Sequence, residues 1–257
     1  PKGKAPGWDV RVEDKDNCWM YLGCLLEDAK VGPSPAWLKQ RLEMAGLHSI
    51  NNVVDVTNYV LLGFGQPLHA FDADTLAEEI IVVRRAKAGE TIKTIDQTVR
   101  TLDSEMLVIA DGRRPVAIAG VMGGAETEIS EKSRRIFLES ALFAPSSVRK
   151  TSRKLGLASD SSYRFERGVD PEGVETAMRE AIVLLMELTG AEPGPISKTA
   201  VKKFPSREIS VDPAQLSRLL GLEVKAKAAS DALKRLHFGI ASQSEKKISV
   251  TIPSFRG

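Results

Sequence analysis

The spacing of apolar residues predicts a first part built from short strands and long helices, followed by a shorter second part. Short runs rich in apolar and β-branched residues recur between residues 80 and 138, separated by Gly, Asp and Gln. Residues 171–189 carry apolar positions every three or four residues, between Asp170 and Gly190, which predicts a long helix. A Pro- and Gly-containing connector follows, and we place a domain boundary near Pro205.

The remaining patterns add helices and strands on either side of these elements. Residues 8–29 predict a pair of strands, and Ser34 is a natural N-cap for a helix that begins after it. Residues 51–62 are apolar and β-branched and predict a buried segment. The last part carries the patterns of two helices and one strand, at residues 212–221, 228–236 and 248–252.

Together these patterns predict an α+β fold. We expect a mixed, mostly antiparallel sheet assembly with flanking helices, followed by a small helical module. Residues 1–204 would form the first domain and residues 205–257 the start of a helix-rich second domain. The chain stops at Gly257 soon after a predicted strand, so we expect it to be part of a longer polypeptide.

Composition narrows the function classes. A chain of 257 residues with 42% hydrophobic and 27% charged residues is typical of a globular protein. No apolar run is long enough to span a membrane, and no apolar segment follows the basic residues 1–4, so we expect a cytoplasmic protein without membrane contact. Two cysteines and three histidines favour reduced thiols and predict no metal site.

Charge is unevenly distributed along the chain. The net charge of +2 argues against a strongly basic nucleic-acid-binding protein. One cluster nevertheless stands out, formed by Arg149, Lys150, Arg153 and Lys154. Such a cluster is by default a solvated helix face, and contact with RNA phosphates is the alternative.

Generic catalytic motifs are absent, so single residues say little alone. Residues 120–124 are glycine-rich but lack the Lys and Ser/Thr of a phosphate-binding loop. They indicate a tight turn or a place where backbone approaches a ligand closely. Alone, His69 is more typical of a structural histidine, and Glu139 of a solvated strand end.

Four stretches taken together are far more specific. They are residues 52–59 (Asn-Val-Val-Asp-Val-Thr-Asn-Tyr), 65–72 (Gly-Gln-Pro-Leu-His-Ala-Phe-Asp), 119–124 (Ala-Gly-Val-Met-Gly-Gly) and 160–171 (Asp-Ser-Ser-Tyr-Arg-Phe-Glu-Arg-Gly-Val-Asp-Pro). In order and spacing they resemble the editing domain of the bacterial phenylalanyl-tRNA synthetase beta subunit. The resemblance covers roughly residues 8–200, and residues 207–257 resemble the opening of the next beta-subunit domain.

This resemblance implies an activity and a set of site residues. The implied activity is hydrolysis of mischarged Tyr-tRNA(Phe), in which His69 helps to place the attacking water and Glu139 binds the tyrosine hydroxyl. The other positions that match the substrate pocket of the family are Thr57, Asn58, Ala119, Gly120, Gly123, Ser159, Ser161 and His48. Ser159 and Ser161 stand where relatives often have Thr and Ala, and His48 stands where some have Arg.

The chemistry of the residues is compatible with that activity. An aminoacyl ester needs a positioned water and a stabilised oxyanion more than a strong nucleophile. Backbone N–H groups in residues 120–124 could supply the oxyanion donors. A carboxylate such as Glu139 could separate tyrosine from phenylalanine, because only tyrosine offers a hydroxyl to bond.

The resemblance also implies partners and cofactors. Editing needs no metal or organic cofactor, whereas the whole synthetase uses ATP and Mg²⁺. The implied partners are tRNA(Phe) and the synthetase alpha subunit, in a heterotetramer of two alpha and two beta subunits. The Arg149–Lys154 cluster is expected to guide the acceptor end of the tRNA.

Two alternatives remain at this point. The fragment could be a non-catalytic scaffold that faces tRNA, in which case His69 and Glu139 should lie apart. If it is catalytic, they should converge on one pocket together with Thr57 and residues 120–124. A weaker alternative is DNA binding through residues 207–257, which lack an evident basic recognition helix.

Overall fold

A computed structural model describes residues 8–256 and divides the chain into two compact units, with the division between Lys202 and Lys203. Residues 1–7, including the basic N-terminal stretch, and Gly257 lie outside the described part. In the first unit the strands are β1 (Asp9–Val12), β2 (Cys18–Glu27), β3 (Leu68–Asp72), β4 (Ile80–Arg85), β5 (Thr91–Lys93), β6 (Val99–Thr101), β7 (Leu107–Ala110), β8 (Pro115–Ile118), β9 (Met122–Gly123), β10 (Ile136–Phe143), β11 (Glu192–Pro193) and β12 (Ser197–Ala200). Its helices are α1 (Ala36–Met44), α2 (Asn52–Phe64), α3 (Pro145–Leu155), α4 (Asp160–Phe165) and α5 (Gly173–Thr189).

The strand β10 is the centre of the first unit. It pairs in antiparallel fashion with β2 on one side and with β3 on the other, and every residue of β10 is buried. Phe137 and Phe143 point into a core shared with residues of a second sheet, ordered β1-β4-β7-β8-β9. Ser140 points to the opposite face, where its hydroxyl donates to the carbonyl of Val174 in α5 at 2.9 Å. The sheet containing β10 is therefore packed on both faces.

The first two strands belong to different sheets. Strand β1 runs parallel to β4, whereas β2 pairs with β10, β11 and β12. Residues 8–29 do contain two strands, but the prediction that these strands pair with each other is wrong. Between the two strands the Asp14 carboxylate accepts hydrogen bonds from the backbone and side-chain N–H groups of Asn17. This side-chain turn redirects the chain from one sheet to the other.

The apolar segment after residue 50 is the helix α2. The side chain of Asn51 accepts hydrogen bonds from the N–H groups of Val53 and Val54, and Gly65 ends the helix with φ 70°. Ser34 does not cap α1, whose N-cap is Pro35. The Ser34 hydroxyl instead donates to the buried carboxylate of Asp55 in α2 at 2.5 Å. A long-range bond thus replaces the local cap that the sequence predicted.

The second unit combines helices with a small sheet. Its elements are β13 (Arg207–Val211), α6 (Pro213–Leu220), α7 (Ala226–Arg235), β14 (Gly239–Gln243) and β15 (Ile248–Ile252). The strands pair in antiparallel order β13-β15-β14, and Ile248 and Val250 pack against Ala226 and Ala229 of α7. The prediction of a small helical module was therefore incomplete, because it did not include the three-stranded sheet. Strands β13 and β14 are mostly exposed; β13 alternates only at Ile209 and Val211, and β14 has one large apolar residue, Ile240, so their sequences carry a weak signal.

The predicted α+β fold class is confirmed, with mostly antiparallel strands and flanking helices. Among the helices that the structure describes, none is long and apolar enough to cross a membrane.

Candidate active site

A narrow pocket lies between the β8–β9 hairpin, strands β3 and β10, and helix α4. Its lining includes Leu68, His69, Gly120, Gly123, Glu139 and Ser161. The cavity volume is about 50 Å³, which has room for a few water molecules but not for an aminoacyl group. Binding an amino acid there requires lining side chains to move. Met122 is suited to this because it is half-buried and its side chain is unbranched.

His69 and Glu139 are neighbours although they are distant in sequence. In the antiparallel pairing of β3 with β10, these two residues stand directly opposite each other. Residues paired in this way point to the same face of a sheet, with Cβ atoms about 5 Å apart. Strand register therefore places an imidazole and a carboxyl group side by side on the pocket wall.

Glu139 is a buried carboxyl group that accepts a hydrogen bond from a tyrosine hydroxyl. It is 5% exposed, and the Tyr21 hydroxyl donates to its Oε2 atom at 2.9 Å. Burial raises the pKa of Glu139 to about 8, and the hydrogen bond from Tyr21 opposes part of that shift. Glu139 is therefore mostly protonated near neutral pH. The interpretation of Glu139 as a solvated strand end does not hold.

His69 is neutral and has an unsatisfied nitrogen. The residue as a whole is half-buried, yet its Nε2 atom is buried and makes no hydrogen bond within residues 8–256. Burial lowers the pKa of His69 to about 4, and its ring packs nearly perpendicular to that of Phe71 at a centroid distance of 4.4 Å. A buried nitrogen without a partner costs free energy unless a ligand or water satisfies it.

Gly123 allows the β8–β9 hairpin to approach His69. A methyl group at Gly123 would lie 2.5 Å from Cε1 and 2.8 Å from Nε2 of His69. Only glycine permits this approach of backbone to the imidazole. The glycine at this position thereby sets the location of the ring in the pocket.

The neighbouring turn leaves one backbone donor unused. Val121 N–H donates to Ile118 O at 2.9 Å, and Gly124 N–H donates to Val116 O at 2.8 Å. Gly120 occupies the third position of the Ile118–Val121 turn with φ 69°, a conformation that favours glycine. Its N–H makes no hydrogen bond in the described part of the chain. Of the donors expected in residues 120–124, Val121 and Gly124 are thus already engaged.

The two serines of the opposite wall have different positions. Ser161 lines the pocket. Ser159 instead caps α4 by accepting from Ser162 N–H at 3.1 Å, and its hydroxyl donates to Val121 O at 2.7 Å. Ser159 therefore ties α4 to the turn that carries Gly120.

Four other expected pocket residues do not line it. Thr57 is buried in α2 and donates its hydroxyl to Val54 O at 2.7 Å, so the side chain bonds its own helix. Asn58 is half-buried on α2, and Ala119 is buried in the turn, where its N–H donates to Leu107 O at 3.0 Å. His48 is exposed in the loop between α1 and α2. Gly124 borders a separate cavity next to the pocket.

The basic cluster lies on the exposed face of α3. Arg149 donates to Glu166 O at 2.8 Å, and Lys154 pairs with Asp103 at 2.6 Å. Lys150 and Arg153 are exposed and have no charged partner among the described residues. The exposed ion pair of Lys154 contributes little to stability, so a polyanion could replace it at low cost in free energy. The basic face of α3 is therefore available to a polyanion.

Sequence reasoning missed Tyr21, the donor to Glu139. Tyr21 sits in an apolar run and is completely buried in β2. A buried tyrosine usually has a hydrogen-bond partner for its hydroxyl, which was the available signal. The sequence alone did not indicate which residue that partner would be.

A family model described as the B3/4 domain matches residues 17–190. The chain belongs to the B3/4 domain family. A second model, described as the tRNA synthetase B5 domain, matches residues 209–257.

Similar curated proteins carry one name, phenylalanine–tRNA ligase beta subunit. The protein from Carboxydothermus hydrogenoformans is 47% identical over 248 residues, and the one from Moorella thermoacetica is 46% identical over 250 residues. Each match covers 96% of this chain and 31% of the relative, so the chain spans about a third of their length. The predicted resemblance is confirmed, and the chain corresponds to part of such a beta subunit.

A solved structure shares the fold. It is an N-terminal fragment of the phenylalanyl-tRNA synthetase beta subunit from Pyrococcus horikoshii, with a TM-score of 0.50 and 14% sequence identity. The match covers 100% of this chain and 72% of that one.

Proposed function

We propose that residues 1–204 hydrolyse mischarged Tyr-tRNA(Phe) to tyrosine and tRNA, with His69 and Glu139 at the reacting site. The observation that carries this proposal is the convergence of these two residues on one pocket wall through the β3–β10 register. A scaffold without activity has no need for a buried carboxyl group next to an unpaired imidazole nitrogen. Membership of the B3/4 domain family supports the same assignment.

Glu139 would select tyrosine over phenylalanine. A phenolic hydroxyl can donate to a carboxylate, and it can also accept from a protonated carboxyl group. Glu139 can therefore bond the tyrosine hydroxyl on either side of its pKa of about 8. Phenylalanine would leave this buried group without the added bond, which is the basis of strong discrimination by a polar site.

His69 would position the attacking water. Its pKa of about 4 makes it a weak base, but its buried Nε2 atom can accept a hydrogen bond from water. The water oxygen bonds to the ester carbonyl carbon, and the bond from that carbon to the ribose oxygen then breaks. One proton of the water ends on the ribose oxygen, which leaves as the tRNA hydroxyl, and the other is released to solvent as tyrosine leaves with an ionised carboxylate. The N–H of Gly120, which has no backbone acceptor within residues 8–256, would donate to the carbonyl oxygen as negative charge develops.

The family relationship also supports a proposal for the rest of the assembly. We assign residues 205–257 to the start of the adjoining domain and place ATP- and Mg²⁺-dependent synthesis of Phe-tRNA on the alpha subunit. The expected assembly is a cytoplasmic heterotetramer of two alpha and two beta subunits that binds tRNA(Phe). The Arg149–Lys154 cluster would contact phosphates of the acceptor end.

The decisive test is deacylation of preformed Tyr-tRNA(Phe) and Phe-tRNA(Phe) by the whole synthetase. Wild type should hydrolyse the tyrosyl ester much faster, and Glu139→Ala should reduce that rate by on the order of tenfold or more through loss of the hydrogen bond. The phenylalanyl rate should not fall. Glu128→Ala, which removes an exposed carboxylate, is the matched control and should change neither rate. If Glu139→Ala keeps the wild-type ratio of rates, the proposal is wrong.

A further inference from the structure

The environment of Glu139 contains one hydrogen bond that the proposed chemistry does not yet use. The residue directly opposite Glu139 on β2 is Gly23, which has no side chain to offer. The donor from that strand is Tyr21, two positions earlier, whose hydroxyl reaches Oε2 of Glu139 at 2.9 Å. Tyr21 is fully buried, so its hydroxyl needs a partner inside the protein.

This arrangement leaves the two oxygens of Glu139 unequal. Oε2 is occupied by Tyr21, whereas Oε1 makes no hydrogen bond within the described residues. Because Glu139 lines the pocket, its unoccupied oxygen is the one available to a ligand. The contact with Tyr21 also shows that this carboxyl group accepts a phenolic hydroxyl with ordinary geometry.

We propose that Tyr21 is a positioning residue for Glu139, which holds one oxygen of the side chain so that the other is presented to the hydroxyl of a tyrosyl substrate. This inference rests on the proposed function. Without the Tyr21 hydroxyl, the Glu139 side chain would lose the one donor that residues 8–256 provide, and with it a fixed orientation. The two oxygens would then both need a partner, and a single substrate hydroxyl could satisfy only one of them.

The electrostatic surroundings provide a second readout. The titratable groups that face Glu139 are Tyr21 and Cys18 from β2 and His69 from β3. Tyr21 lowers the pKa of Glu139 through its hydrogen bond to the carboxylate. Removing the hydroxyl should therefore move the ionisation of Glu139 to higher pH.

The test compares wild type, Tyr21→Phe, Glu139→Ala and the double variant in the whole synthetase. Tyr21→Phe keeps the buried ring and deletes only the hydroxyl. We expect hydrolysis of Tyr-tRNA(Phe) to fall by on the order of tenfold, with the Phe-tRNA(Phe) rate unchanged. The part of the pH–rate profile that depends on Glu139 should shift to higher pH, and Tyr21→Phe should add nothing when combined with Glu139→Ala.

Ser140→Ala is the matched control. It deletes another buried hydroxyl of the same sheet, one that bonds Val174 on the opposite face, and should leave the ratio of the two rates unchanged. If Tyr21→Phe lowers both rates equally, or keeps the wild-type ratio while Glu139→Ala loses it, the positioning role is refuted and the proposed function stands. If Glu139→Ala itself keeps the ratio, the proposed function fails and this inference fails with it.

Discussion

Replacement of Gly123 by alanine should disable the site without unfolding the protein. The added methyl group would lie 2.5 Å from Cε1 of His69, whereas carbon atoms pack at about 3.5–4.0 Å. The imidazole would therefore have to retreat by about 1 Å. Phe71 packs on the ring at a centroid distance of 4.4 Å and limits the direction of that movement.

The expected effect is a loss of catalysis larger than the loss of stability. A displacement of about 1 Å of a positioning group can reduce a rate by about 100-fold. The assay is deacylation of Tyr-tRNA(Phe) by the whole synthetase, together with thermal unfolding of the variant. Gly63→Ala is the matched control, because a methyl group there meets nothing within 4 Å and Gly63 lies inside α2. Alanine should even stabilise that helix, by up to about 1 kcal/mol.

A wild-type deacylation rate in Gly123→Ala would refute this reasoning. It would mean either that the ring moves without consequence or that His69 does not place the water. Alanine is the substitution of choice because its side chain is the smallest that can be added at position 123. The larger side chain of serine would increase the risk of unfolding, and an unfolded variant would give no information on the rate. The informative comparison is between Gly123→Ala and Gly63→Ala at equal folded fraction.

Three further predictions concern stability and tRNA binding. Because the pKa of Glu139 is raised in the folded state to about 8, the folded chain binds more protons than the unfolded chain above pH 4.5, and stability should fall as pH rises toward 8. Between pH 7 and pH 8, where His69 is neutral in the folded state and about three-quarters neutral in the unfolded state, denaturant unfolding should show a loss of about 1 kcal/mol that is absent in Glu139→Gln. Ser159→Ala removes the cap of α4 and the bond to Val121, and denaturant unfolding should show a loss of about 1 kcal/mol; an unchanged midpoint would contradict the capping role. Replacing the four basic residues of the Arg149–Lys154 cluster by alanine should weaken tRNA binding and flatten its dependence on salt concentration, and an unchanged slope would argue against phosphate contact.

Local patterns predicted many elements because their signals are local. The helix α5 ends at Gly190, as predicted, with φ 73° at that residue. Its start differs slightly, since Asp170 accepts a hydrogen bond from Glu172 N–H before the helix begins at Gly173. The alternating residues 248–252 form β15, as predicted.

The strand that carries Glu139 shows why the rest was harder to predict. The apolar run at residues 136–138 predicts a short strand, but β10 continues to Phe143 through Glu139 and Ser140. Two polar residues in succession look like the end of a strand. They are buried because other parts of the chain supply partners, Tyr21 for Glu139 and Val174 for Ser140. Such partners are more than 30 residues away and leave no local pattern.

The pocket depends on the same non-local information. Strand register decides that His69 lies opposite Glu139, and a shift of one residue would move either side chain to the other face. The resemblance to the synthetase family implied that these two residues belong to the site, but it did not indicate that they lie opposite each other on paired strands. It also implied Thr57, which is not among the residues that line the cavity and whose hydroxyl bonds its own helix.

The most direct test of the account is a crystal structure of the beta subunit with a non-hydrolysable amide of tyrosine and adenosine. We expect the phenolic oxygen about 2.7 Å from Glu139, and the amide carbonyl next to Gly120 and His69. Met122 should have moved to make room, because the cavity without a ligand measures only about 50 Å³. An analogue bound in the neighbouring cavity beside Gly124, or bound with its ring away from Glu139, would contradict the account.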